Sequence, residues 1–157
     1  MSPTSSLTRS VTRSVSGSVV VEAPPAAVFE LLVTPARHRE FDGSGMVGRP
    51  LAGAQRLYPG ARFGMTMRYR APLRFPYRIV NVVVEYDEPR RIAWRHFSRH
   101  VWRYTLEPVD GGRTVVTETF DWSGAVSPRA IELLGYPRAN ARAIEATLRR
   151  LRDRFAG

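Results

Sequence analysis

The sequence predicts an α+β fold, a curved antiparallel sheet wrapped around a long C-terminal helix, and three observations carry that prediction. From about Arg62 to Trp122, apolar and polar residues alternate with period two through successive runs separated by Pro or Gly turns, the signature of an antiparallel meander. From Arg138 to Phe155, Ile144, Leu148, Leu151 and Phe155 fall at spacings of four, three and four, which puts one apolar stripe on a helix. Ahead of both, a short valine-rich strand leads into two short helical segments.

Taken in order, Ser18 to Ala23 reads as the first strand, and Pro24-Pro25 ends it where a helix can begin with proline in its first turn. Ala26 to Val33 is that helix, with Val28, Phe29, Leu31 and Leu32 as its apolar stripe. Thr34-Pro35 interrupts it, and Ala36 to Phe41 makes a second short turn. Asp42-Gly43-Ser44-Gly45 is a flexible turn back toward the sheet. The strand runs are Phe63 to Ala71, Tyr77 to Tyr86, Arg91 to Phe97, Val101 to Glu107 and Thr114 to Trp122. Their connections are short, so sequence neighbours should pair in space. After Ser127-Pro128 a helical turn runs from Arg129 to Leu134, Gly135-Tyr136-Pro137 breaks it, and the long helix follows.

Alternation assigns the strand faces. Arg68 and Arg70 share the solvent face of their run, so Phe63, Met65, Met67 and Tyr69 point inward. Ile92 and Trp94 point inward against Arg91 and Arg95, as do Trp102, Tyr104 and Leu106 against Arg103 and Glu107. In the last run Val116, Phe120 and Trp122 form the heavier set, which takes Glu118 inward with them. A carboxylate among Trp102, Tyr104, Phe120 and Trp122 is partly desolvated, which raises its pKa and suits it to proton transfer. The competing role is a structural glutamate paired with arginine, and the residues leave both open.

Length and composition bound the function. With 157 residues the chain fits one domain, which can bury roughly two thirds of its unfolded surface without staples. Residues 1–16 are Ser/Thr-rich, carry Arg9 and Arg13 and have no acid, so a disordered tail is expected there and a single domain over 17–157. Cysteine is absent, which excludes disulfides, thiolate zinc sites and thiol catalysis and makes a reducing cytoplasm the expected location. No apolar run is long enough to span a bilayer. The net charge is +10, and all 24 basic residues are arginine. They are scattered rather than clustered, which favours a solvated surface over a specific nucleic-acid site.

The order of elements, together with "VVVEAPPAAVFELL" at Val19 to Leu32, "PARHREFDGSGMV" at Pro35 to Val47, "VVEYDEPRRIAWR" at Val83 to Arg95 and "GGRTVVTETFDWS" at Gly111 to Ser123, resembles the helix-grip fold of the START-like (SRPBCC) superfamily in its polyketide cyclase/dehydrase branch. The resemblance covers residues 18–155 and implies a cavity between sheet and last helix, opening near the two short helices, without a shared catalytic motif. It implies a small hydrophobic ligand, aromatic, polyketide-like or lipid-like, with cyclisation or dehydration by acid–base chemistry as one outcome. A non-catalytic carrier or sensor of a lipid or quinone is the alternative, and a polyanion or membrane-surface binder a third.

The expected lining is aromatic and thioether-rich: Met65, Met67, Tyr69, Trp94, Trp102 and Tyr104, then Glu118, Phe120 and Trp122, with Phe41 from the short helices and Ile144 and Leu148 from the last one. Glu118, Tyr104 and Arg78 are the candidates for proton transfer, and no cofactor or metal is expected. Gly43 to Gly48 satisfies G-x-G-x-x-G, but a helix precedes it and Arg49-Pro50 follows, the wrong context for a dinucleotide fingerprint; a loop at the cavity mouth is the better account. His96 and His100 bracket a turn among Arg95, Arg99 and Arg103, which repels a cation. They read as solvent-exposed turn histidines, or as an acid or base at the cavity rim.

Overall fold

The computed structural model describes residues 12–157; the expectation of a disordered tail over residues 1–11 lies outside them. The elements are β1 (Ser14–Val21), α1 (Pro25–Leu32), a 3-10 turn (Pro35–Arg37), α2 (His38–Phe41), β2 (Val47–Gly53), β3 (Arg62–Arg68), β4 (Pro76–Asp87), β5 (Arg91–Arg95), β6 (Val101–Val109), β7 (Arg113–Asp121), α3 (Pro128–Leu133) and α4 (Tyr136–Phe155). The strands form one sheet in the order β1-β7-β6-β5-β4-β3-β2, antiparallel at every step. From β2 to β7 it is a simple meander, and the first strand closes the far edge beside the last.

Two elements differ from expectation. β1 begins at Ser14, not Ser18, so Ser14, Val15 and Ser16, expected in the tail, pair with Asp121, Phe120 and Thr119 of β7. The serines look like tail composition, yet Ser16 and Ser18 each bond a β7 threonine hydroxyl across the sheet at 2.7 Å, the kind of polar pair that supports a solvated sheet face. β2 was not anticipated at all. Its sequence VGRPLAG carries Pro50, and its register against β3 shifts twice, as tolerated only at a sheet edge.

α4 lies against β1 and β7. A Cβ at Gly17 would sit 3.0 Å from Leu148 and 3.1 Å from Ile144, so the bare backbone there lets the helix approach the strand closely. Ile144, Leu148 and Leu151 are buried in that seam. The other buried mass lies beneath α1, where Phe29, Leu31 and Leu32 join Ile92, Leu106 and Val116. α1 starts on Pro24-Pro25 as expected, with Pro at its first position.

Antiparallel succession gives the sheet two unlike ends. The β4–β5 and β6–β7 turns and α1 gather at one end; the β3–β4 and β5–β6 connections and the segment after β7 gather at the other.

Candidate ligand cavity

Between the concave sheet face, α2, α3 and α4 lies a cavity of about 940 Å³ that opens at the second of these ends. That is large enough for a drug-sized molecule. Alternation along the strands builds it. β7 runs half-buried and buried in strict succession, with Thr114, Val116, Glu118 and Phe120 on the buried side, so the inward assignment of Glu118 holds. Direct cross-strand pairing then sets Trp94 beside Trp102, Trp102 beside Phe120, and Tyr104 beside Glu118.

Three layers follow along the strands, stepped by about 7 Å for each pair of residues. At the floor, Tyr104 donates its hydroxyl to Glu118 Oε1 at 2.8 Å. Both side chains are buried, and Glu118 Oε2 has no partner among the described residues. Burial pushes the Glu118 carboxyl up to about 8, opposed by the Tyr104 hydrogen bond and reinforced by the charge of Asp42. Burial raises the Tyr104 hydroxyl as well, and the Glu118 charge adds to it. At neutral pH the pair is therefore mostly a neutral carboxylic acid accepting from a neutral phenol. No arginine reaches Glu118 within ion-pair distance among the described residues, which disposes of the arginine-paired alternative.

The middle layer is aromatic. His38 stacks on Trp94 at 5.1 Å between ring centroids, and Trp102 packs against Phe120 at 5.0 Å. His38, outside the lining expected from the sequence, is buried, with Nε2 donating to the Leu32 carbonyl at 2.7 Å. Its imidazole is pulled down to about 4 by burial, so it is a neutral ring that extends the aromatic wall.

The layer nearest the mouth is polar again. The register that pairs Val82 with Arg95 sets Asn81 opposite His96. Asn81 is 2% exposed and its Oδ1 has no partner among the described residues. His96 and His100 stack at 4.6 Å, and the Ser98 hydroxyl bonds His100 Nδ1. These histidines are half-buried and line the cavity, not the solvent-exposed turn residues of the first expectation. Burial and the neighbouring His100 pull His96 down to about 3, and burial pulls His100 to about 4. Among the described residues no third His, Asp or Glu joins them to make a cation site.

The expected lining residues divide. Phe41, Met65, Met67, Tyr69, Trp94 and Trp102 border the cavity, as do Tyr104, Glu118 and Phe120. Four candidates do not. Arg78 is exposed on the convex face, because Tyr77, Ile79 and Asn81 take the inward positions of β4. Trp122 turns its indole N–H to Glu132 at 3.0 Å, beyond the end of β7. Ile144 and Leu148 are spent on the seam with β1, since the stripe of α4 grips the sheet edge while its neighbouring face, with Ala139, Ala143 and Thr147, looks into the cavity. Arg70, assigned to the solvent face with Arg68, instead reaches back over the Tyr136 ring at 5.2 Å, because β3 ends at Arg68 and alternation stops there.

The glycine loop at 43–48 has a packing explanation. A Cβ on Gly43 would lie 2.3 Å from the Thr147 backbone nitrogen, and the Gly43 N–H donates to Thr147 Oγ1 at 2.9 Å. Asp42 accepts from the Ser44 N–H and hydroxyl at 3.0 and 2.7 Å. The loop is thus pinned on α4 beside the cavity, with no helix N-terminus behind it for a phosphate.

Comparison with known proteins agrees with this architecture. Residues 12–156 match the family described as polyketide cyclase / dehydrase and lipid transport, and the chain belongs to that family. It is 38% identical over 146 residues to the uncharacterized protein Rv0088 of Mycobacterium tuberculosis, covering 90% of this chain and 64% of that protein; the chain thus spans a little under two thirds of that relative's length. Among solved structures, a structural-genomics protein of Rhodobacter sphaeroides superposes with a TM-score of 0.68 at 18% identity, covering 92% of each chain. Ginseng major latex-like protein 151 gives 0.66 at 10% identity, covering 92% of this chain and 97% of its own. At such identities these two establish the helix-grip fold and nothing finer.

Proposed function

We propose that the protein binds a small hydrophobic molecule of aromatic, polyketide-like or lipid-like character, lodged against Trp94 and Trp102 with a polar group at each end. One end meets Tyr104 and Glu118 at the floor, the other Asn81 and the histidine pair near the mouth. The observation that carries this reading is the pair of buried oxygens without partners among the described residues, Asn81 Oδ1 and Glu118 Oε2, in residues bordering a largely apolar cavity. An unsatisfied buried polar atom costs about 1–3 kcal/mol; a ligand hydroxyl donating to Asn81 Oδ1, and a hydroxyl or carbonyl meeting the protonated Glu118 carboxyl, relieve that cost. A featureless hydrocarbon does not.

Intrinsic fluorescence tests it. Two of the three tryptophans, Trp94 and Trp102, line the cavity and Trp122 does not, so a hydroxyquinone or polyphenol titrated into the protein should quench most of the signal. Asn81→Leu and Glu118→Leu should each weaken that binding about tenfold, by loss of one polar contact, while a plain hydrocarbon of the same size should bind all three proteins equally poorly. Equal affinity of wild type and both variants for the polar ligand overturns the reading.

A second reading has its own observation. A carboxyl held near pKa 8 beside a phenol is matched to proton transfer near neutral pH, which suits cyclisation or dehydration of a bound polyketide-like chain. Glu118→Gln should then abolish turnover of such a substrate while leaving its binding within a few-fold; unchanged turnover removes Glu118 from any catalytic role and leaves a carrier or sensor.

A further inference from the structure

The cavity mouth carries a surface that ligand binding alone does not require. The β3–β4 connection, the β5–β6 connection and the segment from Ser123 to Tyr136 converge there. Val126 donates to the Ser98 carbonyl at 3.0 Å, and Tyr69 bonds the Tyr136 hydroxyl at 3.4 Å. On these three segments stand Leu73, Phe75 and Leu134, together with Phe97 at 81%, Val126 at 74% and Leu133 at 88% exposure. A soluble protein ordinarily disperses such side chains; gathered around one opening they mark an interaction site.

The charge of the same segments is one-sided. They hold Arg74, Arg99, Arg129 and, just beyond, Arg138, besides Arg70, which turns inward over the Tyr136 ring. None of the first four forms an ion pair among the described residues. Their single carboxylate, Glu132, is occupied by Arg13 at 2.8 Å and by the Trp122 indole at 3.0 Å. Arg74 and Arg99 stand at loop tips in the left-handed region, with φ of 47° and 68°. Large apolar side chains ringed by unpaired cations are complementary to one kind of surface, an apolar layer under a negative one. A protein partner would present its own apolar patch with mixed charges around it.

We propose that this end of the molecule docks on an anionic lipid bilayer. The apolar tips enter the boundary between headgroups and acyl chains, the arginines meet lipid phosphates, and the cavity opens onto the membrane. Docking rests on this rim and not on the identity of the cavity's occupant, but it supplies a route by which a hydrophobic ligand arrives without crossing water.

Co-sedimentation of the full chain with vesicles tests it. Phosphatidylcholine vesicles rich in phosphatidylglycerol should bind the protein at least about tenfold more tightly than pure phosphatidylcholine, with affinity falling as salt rises. The double variant Leu73→Asp/Leu133→Asp, at two exposed positions that do not line the cavity, should lose about tenfold in vesicle affinity with thermal stability and fluorescence quenching by the cavity ligand unchanged. Arg74→Asn/Arg99→Asn, which keeps residues tolerant of positive φ, should lose affinity for the anionic vesicles only. Arg91→Gln/Arg113→Gln at the opposite end should lose none. Absence of vesicle binding overturns the proposal, as does binding insensitive to the leucine pair, which would be diffuse attraction of a +10 chain. Binding of a protein in place of vesicles, abolished by the same leucine pair, overturns it too. Each failure leaves the cavity reading standing, because quenching is measured separately.

Discussion

The two ends of the sheet are built from the same strands and do opposite things. At the end beneath α1, apolar side chains interlock: Phe29, Leu32, Ile92, Leu106 and Val116 are all sealed from solvent. Of the cations there, Arg56 is held by Glu30 at 3.0 Å and Glu88 at 2.7 Å, with Tyr86 at 3.3 Å, while Arg91 and Arg113 form no ion pair among the described residues. At the other end the strands line a cavity, large side chains point outward, and Arg74, Arg99, Arg129 and Arg138 form no ion pair among the described residues. One end spends its apolar residues on stability and the other withholds them. A cavity is a stability cost, because its lining loses the contacts that packing would have made, and the tightly packed end offsets it.

Deleting a side chain at the packed end should do the most damage. Phe29→Ala should cost about 4 kcal/mol and lower Tm by about 10 °C for a chain of this size; a loss under about 1 kcal/mol would erase the contrast between the ends. The next effect is one of pH and belongs to the cavity floor. The folded Glu118 carboxyl, raised from 4.5 to about 8, keeps a proton that the unfolded chain has already released, so stability falls as pH rises toward 8. Glu118 should contribute about 2 kcal/mol to that loss between pH 6.5 and 8, read as the difference between the pH profiles of wild type and Glu118→Gln. Asp42 and Tyr104 face the same carboxyl, and the Tyr104 hydroxyl, pushed up by burial and by the Glu118 charge, stays protonated across that window.

The histidines act in the opposite sense. His38, with a folded pKa of about 4 against 6.5 unfolded, and the half-buried His96 and His100, shifted the same way, bind protons only when the chain unfolds. Stability should therefore also fall as pH drops below 6.5 toward 4, giving a maximum near pH 6.5 in urea melts across that range. A smaller effect is expected from Arg56→Gln. This exposed network is worth about 1 kcal/mol at low salt, and the difference from wild type should shrink as salt screens it. Smallest of all, Phe97→Ala should move Tm by less than about 2 °C, since its side chain touches mostly solvent. If it destabilised the protein as Phe29→Ala does, the mouth would be core and not a docking rim.

Much of this was legible because period-two alternation transmits itself from residue to residue. Once Arg103 and Glu107 face solvent, Trp102, Tyr104 and Leu106 have no choice, and Glu118 follows Val116 and Phe120 inward. Where the strand stops, so does the inference: Arg70 lies two residues past the end of β3 and turns inward, and Arg78 was misjudged by its chemistry when its parity already put it outside. β2 stayed hidden because its Pro and glycines erase the strand signal, and an edge position forgives them.

By itself, then, the sequence determined the meander, the amphipathic last helix and the inward carboxylate, because each depends on local period and on residues a few positions apart. Only the tertiary structure decided that α4 spends Ile144 and Leu148 on β1 and turns Ala139, Ala143 and Thr147 to the cavity. It alone made His38 a wall of the pocket, set Asn81 across from His96, and brought Phe97 of the β5–β6 connection together with Val126 and Leu133 of the segment after β7 on one rim. Those are relations between residues far apart in the chain. They follow from strand order, register and the angle at which a helix crosses a sheet, none of which any local pattern encodes.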